Sequence, residues 1–449
     1  MIDCGLEPPG SIGQTSERMI AGSAPALLAP QILLNEMSRD EPCGPRVDNK
    51  MNAPSTLRGR FGDRIQVNAV LIVVCFCGVL ALSSQSAASF PTYILALAML
   101  LSFTRWNDVL QLGHSWMILA VLGYLVATCA WSDGASWSAT LSMAGKGLLV
   151  FSFVVAFAEC QLRGQLQHWM CRAMAVVGCV AACATIAYNV EHPTSDGRID
   201  GLGQLRNEIV AALVFGVVLL LVFESYLRSR GVLWRGLVAL GVLSITTLVY
   251  LSDSRNAWFS VACGLSVFAL AHVIKDRMRF VASVAAALVI LASLVLALMI
   301  NEETRQVVLP RGLSFRPEIW SATFAATLEA GPWFGAGILT DDDVLLGEQR
   351  YLHAHSLYLS LFFQGGLLAL GLFALLSGAT VRVLLQHYHD SDAKLALGIL
   401  AIAFPAYVLD GNELLDKIGW TWFLYWMPVA IALGLSWHSP ASRHFAVDH

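Results

Sequence analysis

From residue 65 onward the sequence alternates apolar runs of about 16 to 25 residues with short polar breaks. A bilayer core of roughly 30 Å takes about 20 residues of helix, so each run is long enough to cross a membrane. The pattern predicts twelve spans, near 65–84, 88–104, 113–131, 139–158, 169–189, 207–227, 233–252, 255–274, 279–300, 353–378, 395–410 and 418–436. Residues 1–60 carry Pro, Gly, Ser and charge instead, which predicts a disordered cytoplasmic tail with no signal sequence. Within it, Met51 precedes an Arg-rich flank (Arg58, Arg60, Arg64) and is an alternative start. Residues 61–438 form the predicted membrane unit, and 439–449 a cytoplasmic C-terminal tail. The expected fold class is therefore an all-α polytopic membrane protein of about twelve transmembrane helices.

Basic residues set the orientation, because Lys and Arg are retained in short cytoplasmic loops. Arg105, Arg163, Arg228, Arg230, Lys275, Arg277, Arg279, Arg382 and Lys394 fall in alternate loops, while those near 85–87 and 132–138 hold none. This places the loop near 190–206, the Asp253-Ser254-Arg255 junction and the long loop 301–352 on the outer face. None of these segments is long enough to bury a soluble core. Inside the long loop, Phe315, Ile319, Trp320, Phe324 and Leu328 share one predicted helical face. Pro317 suits its first turn and Gly331-Pro332 its end. This amphipathic helix is expected along the membrane interface, with Trp320 and Trp333 near the headgroups.

At 56% hydrophobic and 13% charged residues, the chain needs lipid as its main solvent. A net charge of -4 offers no basic face for nucleic acid. Cys75, Cys77, Cys171, Cys179, Cys183 and Cys263 fall in apolar runs without paired C-x-x-C spacing. They read as small apolar residues, not as a disulfide framework or a structural metal site.

Polar residues that interrupt this pattern are the candidates for chemistry. Arg255 begins a span in Ser252-Asp253-Ser254-Arg255-Asn256-Ala257-Trp258. Such an arginine either snorkels to the headgroups or holds a lipid-linked phosphate in its planar fork of donors. Arg316 stands at the start of the amphipathic helix, preceded by Arg311, where the helix dipole also favours an anion. His353 and His355 lead the span that follows. The dipole there disfavours imidazolium, which suits a general base, and i, i+2 spacing on a helix disfavours a metal pair. Arg198 and Arg206 either widen an anion funnel or are ordinary loop charges. Asp341-Asp342-Asp343 is expected to be a solvated acidic loop, because nucleotide-sugar enzymes hold their D-x-D motif in a cytoplasmic α/β domain. Lys146 and Asp410 are intramembrane charges, either paired or part of a site.

These pieces, in their order, resemble the O-antigen ligase and polymerase superfamily. The resemblance spans roughly residues 198–370: the Gly-rich loop ending in Asn207, the Ser-Asp-Ser-Arg-Asn-Ala-Trp junction, Arg316-Pro317-Glu318-Ile319-Trp320, Gly331-Pro332-Trp333-Phe334-Gly335-Ala336-Gly337, and His353-Ala354-His355-Ser356-Leu357-Tyr358-Leu359 with Gly365-Gly366. It implies transfer of a glycan from an undecaprenyl-pyrophosphate carrier to an acceptor hydroxyl at the periplasmic face of the bacterial inner membrane, with no metal, nucleotide or other cofactor. Arg255 and Arg316 match the family's donor-binding arginines, and His355 its catalytic histidine, acting with inversion at the anomeric carbon. His353, Arg311, Arg198 and Arg206 would support them. Ser356 departs from the family's usual Asn after that histidine.

The leading reading is a ligase that joins O-antigen polysaccharide to a lipid A-core acceptor. The alternative is a polymerase that extends a growing glycan on the same lipid-linked donor. A transporter or lipid flippase is the rival from another class, disfavoured because the polar features crowd one face instead of meeting at mid-membrane.

Overall fold

The computed structural model describes residues 55–82, 85–103, 105–161, 166–194, 197–228, 231–300, 315–346 and 349–438. Residues 1–54, Met51 among them, Arg311 and the C-terminal tail lie outside them, while residues 55–60, expected in the disordered tail, instead open the first helix. Among the described residues, nine helices are long and apolar enough to cross a membrane, and three shorter apolar helices fall on the remaining predicted spans. The all-α polytopic expectation is borne out.

In chain order the helices are α1 (Ser55–Ala81), α2 (Gln85–Ser102), the short α3 (Trp106–Leu110), α4 (Gly113–Ala127), α5 (Trp137–Gln161), α6 (Leu166–Glu191), α7 (Glu208–Arg228), α8 (Val232–Leu251), α9 (Arg255–Val273) and α10 (Arg277–Ile300). They continue with α11 (Arg316–Ala330), α12 (Leu357–Gln386), α13 (Ser391–Leu409) and α14 (Met427–His438), the last entered through a π-helical turn at Trp422–Trp426. A two-stranded antiparallel hairpin, β1 (Val344–Leu346) with β2 (Gln349–Tyr351), pairs Val344 with Tyr351. Cys75, Cys129, Cys160, Cys171 and Cys179 are buried among apolar side chains, as the composition of their helices predicts.

Close approach of α9 to α13 rests on glycine. A Cβ at Gly264 would lie 2.2 Å from Ile402 Cγ1 and 2.8 Å from the Gly398 carbonyl oxygen. Without a side chain there the two backbones meet directly, the usual device where lipid supplies no hydrophobic drive between helices.

The run Gly331–Gly337 has a structural purpose that explains its spacing. At Gly366 the backbone of α12 leaves the helical region, with φ of 65°. The carbonyls freed just before this break accept from Ala336 N (2.7 Å, Phe363 O), Gly337 N (3.0 Å, Gln364 O) and the Tyr124 hydroxyl (2.8 Å, Gly365 O). In return Leu367 N donates to Pro332 O at 2.8 Å. Irregular backbone at this depth is tolerable because protein, not lipid, satisfies it. The glycine at 335 is required as well, since a Cβ there would sit 2.4 Å from Phe363 O.

At the other end of the bundle Arg228 pairs with Glu224 (2.6 Å) and Asp392 (3.0 Å), fastening α7 to α13. This agrees with the grouping of basic residues on that side.

The expected helix of the long loop forms as α11, with one face on the protein. Ile319, Thr323 and Thr327 form its buried stripe, while Phe315, Phe324 and Leu328 are exposed. The two threonine hydroxyls donate to carbonyls one turn back (2.9 and 2.8 Å), so they pack inward without an unmet donor. Trp320 is half-buried, and its indole N–H donates to Ala354 O at 3.1 Å.

Candidate functional site

The last turn of α13 is where the distant candidates meet. The final carbonyls of a helix lack the i+4 donors that serve the rest, and here only Ala406 O keeps one, accepting from Asp410 N at 2.9 Å. Donors arrive from three remote segments. Asn256 Nδ2, beside Arg255, donates to Ala406 O at 3.4 Å. Ser356 Oγ, beside His355, donates to Tyr407 O at 3.3 Å. Arg316 Nε itself donates to Leu409 O at 3.2 Å. The helix C-terminus also carries partial negative charge, which favours the guanidinium there. The hydrogen bond from Leu357 N to Asp410 O (3.4 Å) completes the junction.

Arg255 is exposed at the first turn of α9, whose cap is Ser254 accepting from Ala257 N at 3.3 Å. Arg316 is half-buried. His353 and His355 correct the sequence reading, for they precede α12 in irregular backbone and Ser356 holds the N-cap position. His355 adopts φ of 48°, a left-handed conformation uncommon outside glycine. Freed from helical spacing, the two rings meet edge to face at 4.1 Å between centroids. His355 N–H donates to His353 Nδ1 at 3.2 Å, which leaves the neutral His353 ring its proton on Nε2. Burial holds the His353 imidazole below the usual histidine range; His355 pushes the same way, and Asp410 and Asp343 oppose.

Asp410 is the group that sequence reading underrated. It is 7% exposed, its Oδ1 accepts from Gly411 N at 2.8 Å, and the same oxygen lies 3.9 Å from His355 Nδ1. At that separation the pair is within ion-pair range but beyond a direct hydrogen bond. The Asp-Gly pair directly after an apolar helix was the visible signal.

The remaining candidates separate. Arg198 pairs with Glu208 at 2.7 Å, so its charge is engaged locally and not in a funnel. Its neighbour Ile199 N donates to Leu251 O at 3.2 Å, docking this loop on the α8 end next to the Arg255 junction. Arg206 is exposed, without an ion pair among the described residues. Lys146 pairs with Asp416 (3.0 Å) and Glu413 (3.7 Å). The acidic triplet departs from a solvated loop: Asp343 pairs with Arg350, and Asp342 is partly buried. Burial raises the Asp342 carboxyl to about 6, with Asp343 and Glu413 adding to the shift. Among the described residues no set of three His, Cys, Asp or Glu side chains converges as metal ligands.

Residues 240–374 match the family model described as O-antigen ligase, a stretch that contains Arg255, Arg316, His353 and His355. Over 330 residues the chain is 26% identical to an O-antigen ligase of Pseudomonas aeruginosa, covering 72% of this chain and 79% of that protein. With its apolar helices, this makes the chain a multi-pass bacterial membrane protein.

Proposed function

We propose that this chain, whose residues 240–374 match the O-antigen ligase family model, moves a polysaccharide from undecaprenyl pyrophosphate to a hydroxyl of a lipid A-core acceptor, at the periplasmic face of the inner membrane. The observation that carries this reading is the gathering of Arg316, His353 and His355 at the α13 C-terminus, with Arg255 opening the helix packed beside it.

Arg316 and Arg255 hold the donor pyrophosphate, and their positive charge stabilises the leaving group in place of a divalent cation. His355 takes the proton from the acceptor hydroxyl while Asp410 balances the imidazolium. The acceptor oxygen bonds to the anomeric carbon from the face opposite the phosphate. The bond from that carbon to the phosphate oxygen breaks, and undecaprenyl pyrophosphate departs with the electron pair, so configuration inverts. Ser356 stands where the family commonly has Asn; here its hydroxyl fastens the histidine segment to α13.

Polymerase chemistry would use the same donor, but both comparisons point to ligases. The lipopolysaccharide of a deletion strain tests the assignment. Loss of long-chain material leaving bare core, restored by wild type and not by His355→Ala, is expected. Core carrying one retained repeat would instead indicate a polymerase.

A further inference from the structure

Helix α12 starts two residues after His355 and runs for 30 residues, long enough to carry its last turns to the far side of a membrane. There a cleft of about 440 Å³ lies between the end of α12 and the start of α10. Arg277, Met278 and Val281 line it from α10, and Val381, Arg382 and Leu385 from α12. The glycine at 378 sits one turn before Arg382 on the same face of α12, and a Cβ built there would meet nothing within 4 Å. One turn beyond Arg382, Gln386 adds a carboxamide to the same wall.

The two walls are fastened to each other. Tyr388, fully buried just past the end of α12, donates from its hydroxyl to Ile274 O at 2.6 Å, in the turn that leads into α10. Its ring packs on Phe280 in the first turn of α10, with 4.9 Å between centroids. This anchor sets the spacing of the two helix ends, so the cleft is built into the fold. Farther along α10, Leu288, Ile290 and Leu294 are exposed, as on a helix bathed in lipid. The cleft therefore opens onto the bilayer.

Charge and apolarity together identify the occupant. Arg277 and Arg382 are exposed and form no ion pair among the described residues. Asp276, the carboxylate next to Arg277 in sequence, is engaged as a cap, accepting from Arg279 N at 2.7 Å. Two guanidiniums on opposite walls favour a phosphate between them, which their planar donors fit. Four apolar side chains on the same walls disfavour a free hydrated anion. An amphiphile with an anionic head satisfies both, and basic pockets between membrane helices take such headgroups.

We propose that this cleft binds a diacyl phospholipid with an anionic headgroup, drawn from the leaflet opposite the histidines. Arg277, Arg382 and Gln386 hold its phosphate, and an acyl chain lies along Met278, Val281, Val381 and Leu385. The site is separate from the donor site proposed at Arg255 and Arg316, which lies at the other end of the bundle.

The test titrates full-length protein in neutral detergent with dioleoyl phosphatidylglycerol and, separately, dioleoyl phosphatidylcholine, counting lipid-bound species by native mass spectrometry. Wild type binds the anionic lipid about thirtyfold more tightly, the scale that two basic residues near a membrane surface supply. Combining Arg277→Gln with Arg382→Gln removes the preference. Arg279→Gln keeps it, because that exposed side chain lies outside the cleft. Gly378→Trp retains both arginines but fills the cleft, and binds the two lipids alike. Equal binding of both lipids by wild type overturns the site, as does a preference that survives the paired substitution or Gly378→Trp, or one lost equally in Arg279→Gln. Displacement of phosphatidylglycerol by an equal concentration of inorganic phosphate would make this a free-anion site and overturn the lipid assignment. Binding is read without transfer, so its failure leaves the ligase reading standing.

Discussion

His355 combines strain with an exposed reactive edge. Its φ of 48° is sterically unfavourable for a side chain with a Cβ and would suit glycine. A purely structural residue at this position would gain from replacement, so His355→Gly is expected to raise stability by about 1 kcal/mol while abolishing transfer. Thermal unfolding in detergent, read beside product formation, checks both halves. Arg316→Ala should weaken donor binding by about 2 kcal/mol or more, at least roughly thirtyfold, seen as a rise in KM for carrier-linked glycan. Asp342 gives a pH signature. Its carboxyl titrates near 6 in the folded protein against 3.8 when unperturbed, so burial favours the protonated form. Its contribution to stability is therefore complete below pH 3.8 and is lost as pH rises through about 6. Asp342→Asn should accordingly be more stable than wild type by about 1 kcal/mol at pH 7, after discounting for its partial exposure, with the gain vanishing near pH 4. Melting curves across that range would show it, and an equal difference at both ends would contradict the assignment.

At the scale of elements, the site depends on how α9 and α13 meet. Asn256 reaches Ala406 O only because Gly264 lets the helices touch. Gly264→Val should cost about 1–3 kcal/mol by overpacking and move the N-terminal end of α9, with Asn256 and Arg255, away from the α13 turn. A lower melting temperature with a raised donor KM is the expected pair of readouts. These elements differ in how far the sequence reveals them. The spans were legible because each apolar run is a local property of its own residues. The buried face of α11 was not: Phe315, Phe324 and Leu328 are more apolar than Thr323 and Thr327, yet the threonines satisfy their hydroxyls within the helix and face inward. The histidine segment was mistaken for helix because nothing local reveals that Ser356 is the N-cap.

For the molecule as a whole, the order of polar motifs along the chain proved more informative than any one of them. Arg255, Arg316 and His355 were picked out separately, and the fold brings their segments to one helix end. The pairing of Arg198 with Glu208 lies only ten positions away in sequence and was open to a local reading. The burial of Asp342 was not, since it comes from a loop pinned to residues some two hundred positions earlier. The same map supports a proposed orientation: Arg228 and Lys394 lie at the end opposite the histidines, which we assign to the cytoplasm. A cysteine placed at Asp341 should therefore react with a membrane-impermeant thiol reagent from the periplasmic side of intact cells, and labelling only after lysis would reverse the topology. Ligase chemistry itself is tested most directly by reconstituting the purified protein with undecaprenyl-pyrophosphate-linked glycan and lipid A-core. Core-linked polysaccharide from wild type and none from His355→Ala is the predicted outcome; carrier-linked chains that only lengthen, or full transfer by His355→Ala, would contradict it.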